Sequence, residues 1–163
     1  MTEIWTGGCQ CGAVRYRFTE KPRGSHICHC RMCQKAFGGF YAPLVGGPLE
    51  SFEVTRGEIT MFRSSDQVDR GFCRNCGTPL SFSYVGGDWM STSIGSLDNP
   101  EAFPPKDQHG VDSRLTWANA IGGLPDHSSI EEREPAIAAF IKATNHQHPD
   151  HDTDHWPPRE VHR

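Results

Sequence analysis

Seven cysteines are the residues whose type and spacing could support chemistry in this chain, and all of them precede residue 77. They form three groups along the sequence: Cys9 and Cys11; Cys28, Cys30 and Cys33; and Cys73 and Cys76. An odd number excludes a fully paired disulfide framework, and clustered thiols in a reducing compartment bind metal or carry out redox chemistry. Cysteines one residue apart in an extended segment, or two apart at a turn, direct both sulfurs to one point.

The seven cysteines divide naturally into four plus three. A tetrahedral structural zinc needs four thiolates, which the first and third groups supply as the four-cysteine group: Cys9, Cys11, Cys73 and Cys76. The rest form the three-cysteine group and would leave one coordination position open, as in catalytic zinc: Cys28, Cys30 and Cys33. Two zinc ions per chain are therefore expected, the second being the one more easily lost. A different partition stays open, in which the middle cysteines donate two ligands to a four-cysteine site.

A redox couple at Cys30 and Cys33 is the competing interpretation of the middle cysteines. No helix start or βαβ pattern of the thioredoxin type is expected around this pair, which favours metal. Three thiolates on a divalent zinc leave a net charge near −1, so the site is poorly suited to activating water for hydrolysis. The open position would instead take a substrate thiolate or polarise an aldehyde oxygen.

Alternating apolar residues predict an antiparallel β domain around these cysteines. Period-two patterns with turn residues between them indicate strands at residues 14–18, 40–45, 52–56, 59–62, 80–84, 89–94 and 114–118. One helix is predicted near the end, because Ile137, Phe140, Ile141 and Thr144 share a face and Pro135 suits a first turn. The chain therefore divides into a β domain over residues 1–128, a helix within 129–145, and a solvated His/Asp/Pro-rich tail over 146–163.

Length and charge exclude several classes of partner. A chain of 163 residues with a formal net charge of −4 suits one domain and offers no basic surface for nucleic acid. No apolar run reaches the ~20 residues that span a bilayer, so no membrane partner is expected. The first residues lack the pattern of a secretory signal, so the cytoplasm is the expected location.

Several other side chains are assigned lesser roles. In an extended segment His29 points away from Cys28 and Cys30, which indicates a structural or supporting role. Solvated loop positions are expected for His26, His109 and His127, and plain surface charge for Arg31 and Lys35. Core or pocket-wall positions are expected for Trp5, Trp89 and Trp117.

Three segments around the cysteines resemble one known family. Residues 8–14, 28–33 and 72–78 read GCQCGAV, CHCRMC and FCRNCGT. In this order they resemble the glutathione-dependent formaldehyde-activating enzymes, a family that also includes centromere protein V. Weaker downstream likenesses are GSLD at 95–98, Trp117 and GLP at 123–125, and the likeness covers residues 5–127. Gly122 departs from the acidic residue that the family often has before Gly-Leu-Pro.

The resemblance implies a zinc-ribbon-related β-tent fold with two metal sites. Matched residue by residue, the four-cysteine group corresponds to the structural zinc ligands and the three-cysteine group to the catalytic ones. It also implies a carbon–sulfur lyase-type activity, which joins glutathione or a similar thiol to formaldehyde or another small aldehyde and gives S-hydroxymethylglutathione. The alternative is a zinc-stabilised binding module without catalysis, in which both metals only hold the fold.

Overall fold

Strands account for most of the regular structure in the computed structural model, which describes residues 3–155. Within that range ten strands lie at Trp5–Gly8 (β1), Arg15–Phe18 (β2), Arg23–Cys28 (β3), Ala42–Pro48 (β4), Phe52–Arg56 (β5), Thr60–Ser65 (β6), Val68–Phe72 (β7), Pro79–Tyr84 (β8), Trp89–Ser93 (β9) and Asp107–His109 (β10). Three α-helices of the same range lie at Arg31–Phe37 (α1), Ile130–Arg133 (α2) and Pro135–Thr144 (α3).

The strands form two sheets whose order sets the positions of the cysteines. One sheet has the order β1-β2-β5, and the other has the order β10-β3-β4-β9-β8-β7-β6. In the described residues every named pair of strands is antiparallel except β10 with β3, which is parallel. This confirms the predicted mainly β, antiparallel fold, and α3 lies where the terminal helix was predicted. None of the helices within residues 3–155 is long and apolar enough to cross a membrane.

The core lies where β2 packs against the larger sheet. Tyr16 and Phe18 alternate along β2 and are completely buried, as are Val45 and Leu80 of the larger sheet. Burying each such side chain contributes roughly 1.5–3 kcal/mol. Burial also raises the pKa of Tyr16 to about 12, and its hydroxyl hydrogen-bonds with Ser96 Oγ at 2.7 Å. This core holds β1 and the turn after it against the strands that carry the later cysteines.

Two predictions about local structure are wrong. Residues 114–118 are not a strand, because the chain turns there and the Ala118 N–H donates to the Leu115 carbonyl at 2.9 Å. The segment after Cys28 is not extended, because α1 begins directly after Cys30. The end of α1 does have a signal in the sequence, because Gly38 follows its last residue and takes the left-handed conformation that closes many helices.

The indole of Trp117 is also placed differently from the prediction. It is 54 % exposed, with its ring centroid 5.7 Å from that of Phe40, so it is not a core residue. Trp5 is half-buried and packs edge-on against Phe103, which agrees with the prediction. Trp89 is half-buried as well, with the Arg23 guanidinium 4.7 Å from its ring centroid.

Most described residues of the tail are exposed, as predicted, but residues 148–153 also contact the β domain, which was not predicted. The backbone N–H of His148 donates to the Gln10 carbonyl at 2.7 Å, and the His148 side chain is buried. Arg56 donates to the Thr153 carbonyl and to Gly12, and Arg15 pairs with Asp152 at 2.7 Å. These contacts dock residues 148–153 on the turn after β1, which no periodicity in the sequence marks. The rest of the predicted tail, residues 156–163, lies outside the described residues.

Arg15 is a buried cation at the base of this docking contact. Its side chain is 3 % exposed and donates to both carboxylate oxygens of Asp98, one of them at 2.8 Å. Burial alone would raise the pKa of Asp98, but the hydrogen bonds from Arg15 and Thr6 and the Arg15 charge lower it overall. A depressed folded-state pKa means that this pair stabilises the fold fully above the ordinary Asp pKa of about 4.

We expect Asp98→Asn to lower the free energy of unfolding by about 2–3 kcal/mol at pH 7, because it leaves a buried guanidinium with only the exposed Asp152. Urea unfolding of the metal-loaded protein measures this loss. Glu53→Gln is the matched control, because its pair with Arg17 is exposed and worth about 0.5 kcal/mol or less. Equal stability of the two variants would contradict the importance of the buried pair.

Candidate metal centres

The four-cysteine group lies where turns from the two sheets meet. Cys9 and Cys11 follow β1, and the Cys9 N–H donates to the Val14 carbonyl to close a tight turn. Cys73 and Cys76 lie between β7 and β8, in a turn closed by the Gly77 N–H on the Cys73 carbonyl at 2.8 Å. Gly77 has a φ of +77°, which strains any other residue. Each turn therefore presents its two sulfurs to the other.

Sulfur spacing in this group fits a tetrahedral metal. The Sγ atoms of Cys9 and Cys11 are 3.6 Å apart and those of Cys11 and Cys73 are 3.9 Å apart, and all four lie within 4.8 Å of one another. A zinc–sulfur bond of 2.3 Å gives tetrahedral edges of about 3.8 Å. These distances are far beyond a disulfide bond of about 2.05 Å. The group therefore fits one divalent ion that ties the two sheets together.

The chemistry of these sulfurs also fits a cation. Burial raises the pKa of Cys11 and of Cys73 to about 11, so each remains a thiol at neutral pH unless a positive charge replaces its proton. Burial acts on Cys76 in the same direction, but hydrogen bonds led by that of the Thr78 hydroxyl lower its pKa to about 6. One thiolate is therefore available at neutral pH to begin metal binding.

The docked tail segment borders this group. Cys9 and Cys76 line a cavity of about 440 Å³ whose other wall includes residues 147–150. The His148–Gln10 hydrogen bond fixes the residue between Cys9 and Cys11. Docking therefore restrains the turn on which two of the four sulfurs depend.

Ending the chain at Asn145 should speed metal release from the four-cysteine group by about threefold to tenfold, because the lost His148–Gln10 hydrogen bond, which restrains the turn of Cys9 and Cys11, is worth about 1 kcal/mol. Transfer of the metal to a chromophoric chelator measures the rate. The full-length double variant His146→Gln/His151→Gln controls for direct chelation, since both histidines are exposed and the docking contacts remain. A truncated chain that releases metal at the full-length rate would contradict a restraining role.

The three-cysteine group forms where β3 passes into α1. Cys28 ends β3, Cys30 precedes α1, and Cys33 lies in its first turn. The Cys30 sulfur accepts a hydrogen bond from the Cys33 N–H at 3.4 Å, so it caps the helix. All three Sγ atoms lie within 4.8 Å of one another, which fits one metal with three protein ligands.

This helix start removes one argument against a redox couple, since Cys30 does stand at the beginning of a helix. Burial acts to raise the pKa of Cys30, but hydrogen bonds from Cys33 and Cys28 and the Arg70 charge lower it overall. Burial raises the pKa of Cys33 to about 12 despite a hydrogen bond from Arg70. The third sulfur, Cys28, belongs to the same cluster, and three sulfurs favour a metal over a dithiol couple.

A cavity of about 420 Å³, here called the cysteine cavity, opens beside the three-cysteine group. Its wall includes all three cysteines together with His26, His109, Arg70, Phe82 and Trp89. The loop positions predicted for His26 and His109 are wrong, because these histidines lie on β3 and β10, and their rings are 4.6 Å apart. An exogenous molecule in this cavity could reach the sulfurs directly.

His29 and His127 are placed away from the cavity wall. His29 is buried, its Nε2 is 3.0 Å from the Gln108 side-chain oxygen, and its backbone N–H donates to His109. It therefore links β3 to β10, which agrees with the predicted structural or supporting role. His127 is exposed in the segment before α2, as predicted.

Arg70 is the residue of this site that the sequence analysis missed. It lies in the middle of β7, its side chain is buried, and one guanidinium nitrogen, Nη2, donates to Cys33 Sγ at 3.3 Å. The available signal was a basic residue three positions before Cys73, on the strand that leads into the metal-binding turn. Strand alternation alone could not show that this position faces the three-cysteine group.

A second cavity of about 520 Å³, here called the basic cavity, adjoins the first, since Met32 and Arg70 line both. Arg31 and Lys35, which were expected to be plain surface charges, are exposed residues that line it. No aspartate or glutamate of the described residues lines either cavity, although the chain carries 20 acidic side chains. The two adjoining cavities are therefore electropositive and suited to an anionic molecule.

Comparison with known proteins agrees with these features. The sequence model of the glutathione-dependent formaldehyde-activating enzyme family matches residues 4–112, which include all seven cysteines. A Halomonas elongata protein, provisionally named a glutathione-dependent formaldehyde-activating enzyme, is 28 % identical over 143 residues, which are 77 % of this chain and 91 % of that protein. A Schizosaccharomyces pombe protein described as an uncharacterized lyase is 30 % identical over 91 residues, 51 % of this chain and 60 % of that protein.

A solved structure shares the fold. The crystal structure of a Rhodobacter sphaeroides protein superposes with a TM-score of 0.52 at 21 % sequence identity. The match covers 63 % of this chain and 98 % of that one. At this identity the likeness concerns the arrangement of strands alone.

Proposed function

Because this chain belongs to the glutathione-dependent formaldehyde-activating enzyme family, we propose that it joins a thiol, glutathione or a similar molecule, to formaldehyde or another small aldehyde. The names of two relatives, one for this activity and one as a lyase, support a carbon–sulfur lyase-type reaction. The cytoplasm, where thiols stay reduced, suits such a reaction.

One observation carries the proposal: three sulfurs that fit a single metal face a cavity large enough for a small substrate. A purely structural site would be closed by four protein ligands, as the four-cysteine group can be. The three-cysteine group supplies only three protein ligands, and the cysteine cavity opens beside it. This difference favours catalysis over a binding module in which both metals only hold the fold.

A zinc ion held by Cys28, Cys30 and Cys33 would supply positive charge that attracts a thiolate or polarises a carbonyl oxygen. The protein itself supplies position and a partly apolar wall. Phe82 and Trp89 cover part of the cysteine cavity and limit the water that competes with the aldehyde. Holding thiol and aldehyde together in one cavity removes much of the entropic cost of their meeting.

In the proposed reaction the thiolate sulfur donates an electron pair to the carbonyl carbon and forms the C–S bond. The π pair of the carbonyl moves to its oxygen, which then takes the proton that the thiol gave up. With formaldehyde the product is the S-hydroxymethyl derivative of the thiol, a hemithioacetal, so atoms and charge balance without an oxidant or reductant. The reverse reaction breaks the same C–S bond, which is why the activity is of the lyase type.

The basic cavity offers a place for the rest of the thiol substrate. Glutathione carries two carboxylates, and Arg31 and Lys35 line the cavity that adjoins the cysteine cavity at Met32 and Arg70. A long thiol could thus place its sulfur by the cysteines and its carboxylates by these cations. No described residue that lines either cavity is an aspartate or a glutamate, which also favours an anionic substrate.

Two-dimensional exchange NMR tests the proposal. Glutathione and formaldehyde exchange with their adduct, S-hydroxymethylglutathione. Metal-loaded protein is expected to accelerate this exchange well above the rate with free zinc salt or with metal-free protein. An unchanged exchange rate with glutathione and with other small thiols would contradict the proposed reaction. In that case the binding-module alternative would be the better description.

A further inference from the structure

Arg70 is a buried cation with no acidic partner in the described part of the chain. It lies on β7, between β6 and β8, where its cross-strand neighbours are Phe62 and Phe82, and it is 7 % exposed. The salt bridges found within residues 3–155 involve other arginines. Arginine is almost never buried unless its charge is compensated.

The contacts of Arg70 show where that compensation comes from. Its Nε donates to Ser64 Oγ at 3.1 Å, its Nη2 donates to Cys33 Sγ at 3.3 Å, and its guanidinium carbon lies 5.1 Å from the Phe82 ring centroid. Serine is neutral and the ring offers only a weak attraction. The sulfur of Cys33 is therefore the one contact among these that can carry a negative charge.

Charge counting gives this contact a role. Three thiolates and one divalent ion have a net charge of −1, which would repel an incoming substrate thiolate. The guanidinium brings the cluster to zero at the sulfur that it touches. A hydrogen bond to a ligating sulfur also withdraws electron density from it, as supporting hydrogen bonds do at other metal sites.

The four-cysteine group has a different environment, which argues that this arrangement is specific. The nearby guanidinium of Arg15 is already paired with Asp98 and Asp152. Hydroxyl and backbone groups, such as Thr78 at 3.1 Å from the Cys76 sulfur, make the hydrogen bonds there. A closed structural site does not need to admit a further anion.

We propose that Arg70 is a positioning residue of the three-cysteine group, which holds the Cys33 sulfur in its ligating position and neutralises the cluster so that an anionic thiol can approach. The inference rests on the metal-binding role proposed above for these cysteines. It does not require that the thiol acceptor be formaldehyde. Arg70 acts here through Cys33 and is not itself assigned a contact with substrate.

The four-cysteine group serves as an internal standard for the test. Zinc-loaded full-length protein is mixed with a chromophoric chelator, and the release of two metal ions per chain is followed in the wild type, Arg70→Gln and Arg70→Lys. We expect Arg70→Gln to release one ion at least about tenfold faster, because a charged hydrogen bond is lost, and the other at the wild-type rate. Arg70→Lys keeps the charge, so its release rate for that ion should lie between those of Arg70→Gln and the wild type.

Arg63→Gln is the matched control, because Arg63 lies on the neighbouring strand, is exposed and pairs with Asp69. It should release both ions at wild-type rates.

The proposal would be overturned if Arg70→Gln and Arg70→Lys behaved like the wild type, if both ions left faster together, or if the wild type held only one ion. If Arg70→Gln does not fold by circular dichroism, Arg70→Lys decides the question alone, and a wild-type rate overturns the proposal. The exchange NMR experiment tests the proposed reaction separately, so a failure of the Arg70 proposal can be told apart from a failure of the proposed function.

Discussion

Cys73→Ser is expected to lose the cooperative unfolding transition of the folded protein. Cys73 is completely buried and lies in the turn between β7 and β8, opposite the turn that follows β1. The four-cysteine group thus links the two sheets, and structural zinc sites of this kind contribute about 10–16 kcal/mol of apparent binding free energy. That exceeds the stability of many single domains. Urea unfolding followed by circular dichroism measures the effect.

Cys28→Ser is the matched control for this prediction, since it also replaces a cysteine with serine, but in the three-cysteine group. It should keep a cooperative transition, because Cys28 is half-buried at the end of β3 and does not join the two sheets. A Cys73→Ser variant as stable as the wild type would show that the four-cysteine group does not hold the fold.

Cys30→Ser should instead keep the fold and lose the activity. The Cys30 sulfur caps α1 by accepting from the Cys33 N–H, and a serine hydroxyl at this position is an equally good cap. Only the metal ligand is removed, so metal content should fall from two ions per chain to one. We expect the acceleration of thiol–formaldehyde exchange to fall at least about 100-fold, since even supporting residues of metal sites cost 10- to 100-fold. Elemental analysis and exchange NMR measure these two effects.

Ser129→Ala tests whether a lost helix cap alone could produce such effects. Ser129 caps α2 through a hydrogen bond from the Glu132 N–H at 3.3 Å, and its exposed segment lines neither of the two adjoining cavities. This variant should keep both ions and the wild-type exchange rate. Two ions per chain together with wild-type exchange in Cys30→Ser would contradict the catalytic role of the three-cysteine group.

The cysteine spacing favoured the grouping of sulfurs that the structure shows, and it left open a second partition in which the middle cysteines complete a four-cysteine site. Two residues between Cys73 and Cys76, with Gly77 after them, indicate a tight turn whatever surrounds it. Period-two alternation located β2 and β8 in the same way, because one face of each strand meets the core. These features depend on local geometry, which the sequence carries directly.

Arg70, α1 and the docked tail depend on tertiary contacts and were not predictable in this way. Helix α1 spans only seven residues and begins at a sulfur cap, so neither its periodicity nor its first residue gives a clear signal. Arg70 has no distinguishing feature within its own strand, because its role depends on the contact with Cys33, which the packing of β3 and α1 creates. Residues 148–153 contain no core-forming pattern and are held by hydrogen bonds and one ion pair.

Cobalt substitution tests most directly whether one metal site is closed and the other open. Cobalt(II) takes tetrahedral thiolate sites as zinc does and reports its ligands in the visible spectrum. With two cobalt ions bound per wild-type chain, added glutathione should shift the bands of one ion and leave those of the other unchanged. Cys30→Ser, which is expected to hold one ion, should show no shift. A spectrum that ignores the thiol in the doubly loaded wild type, or one in which both ions respond, would contradict the division of seven cysteines into a closed and an open site.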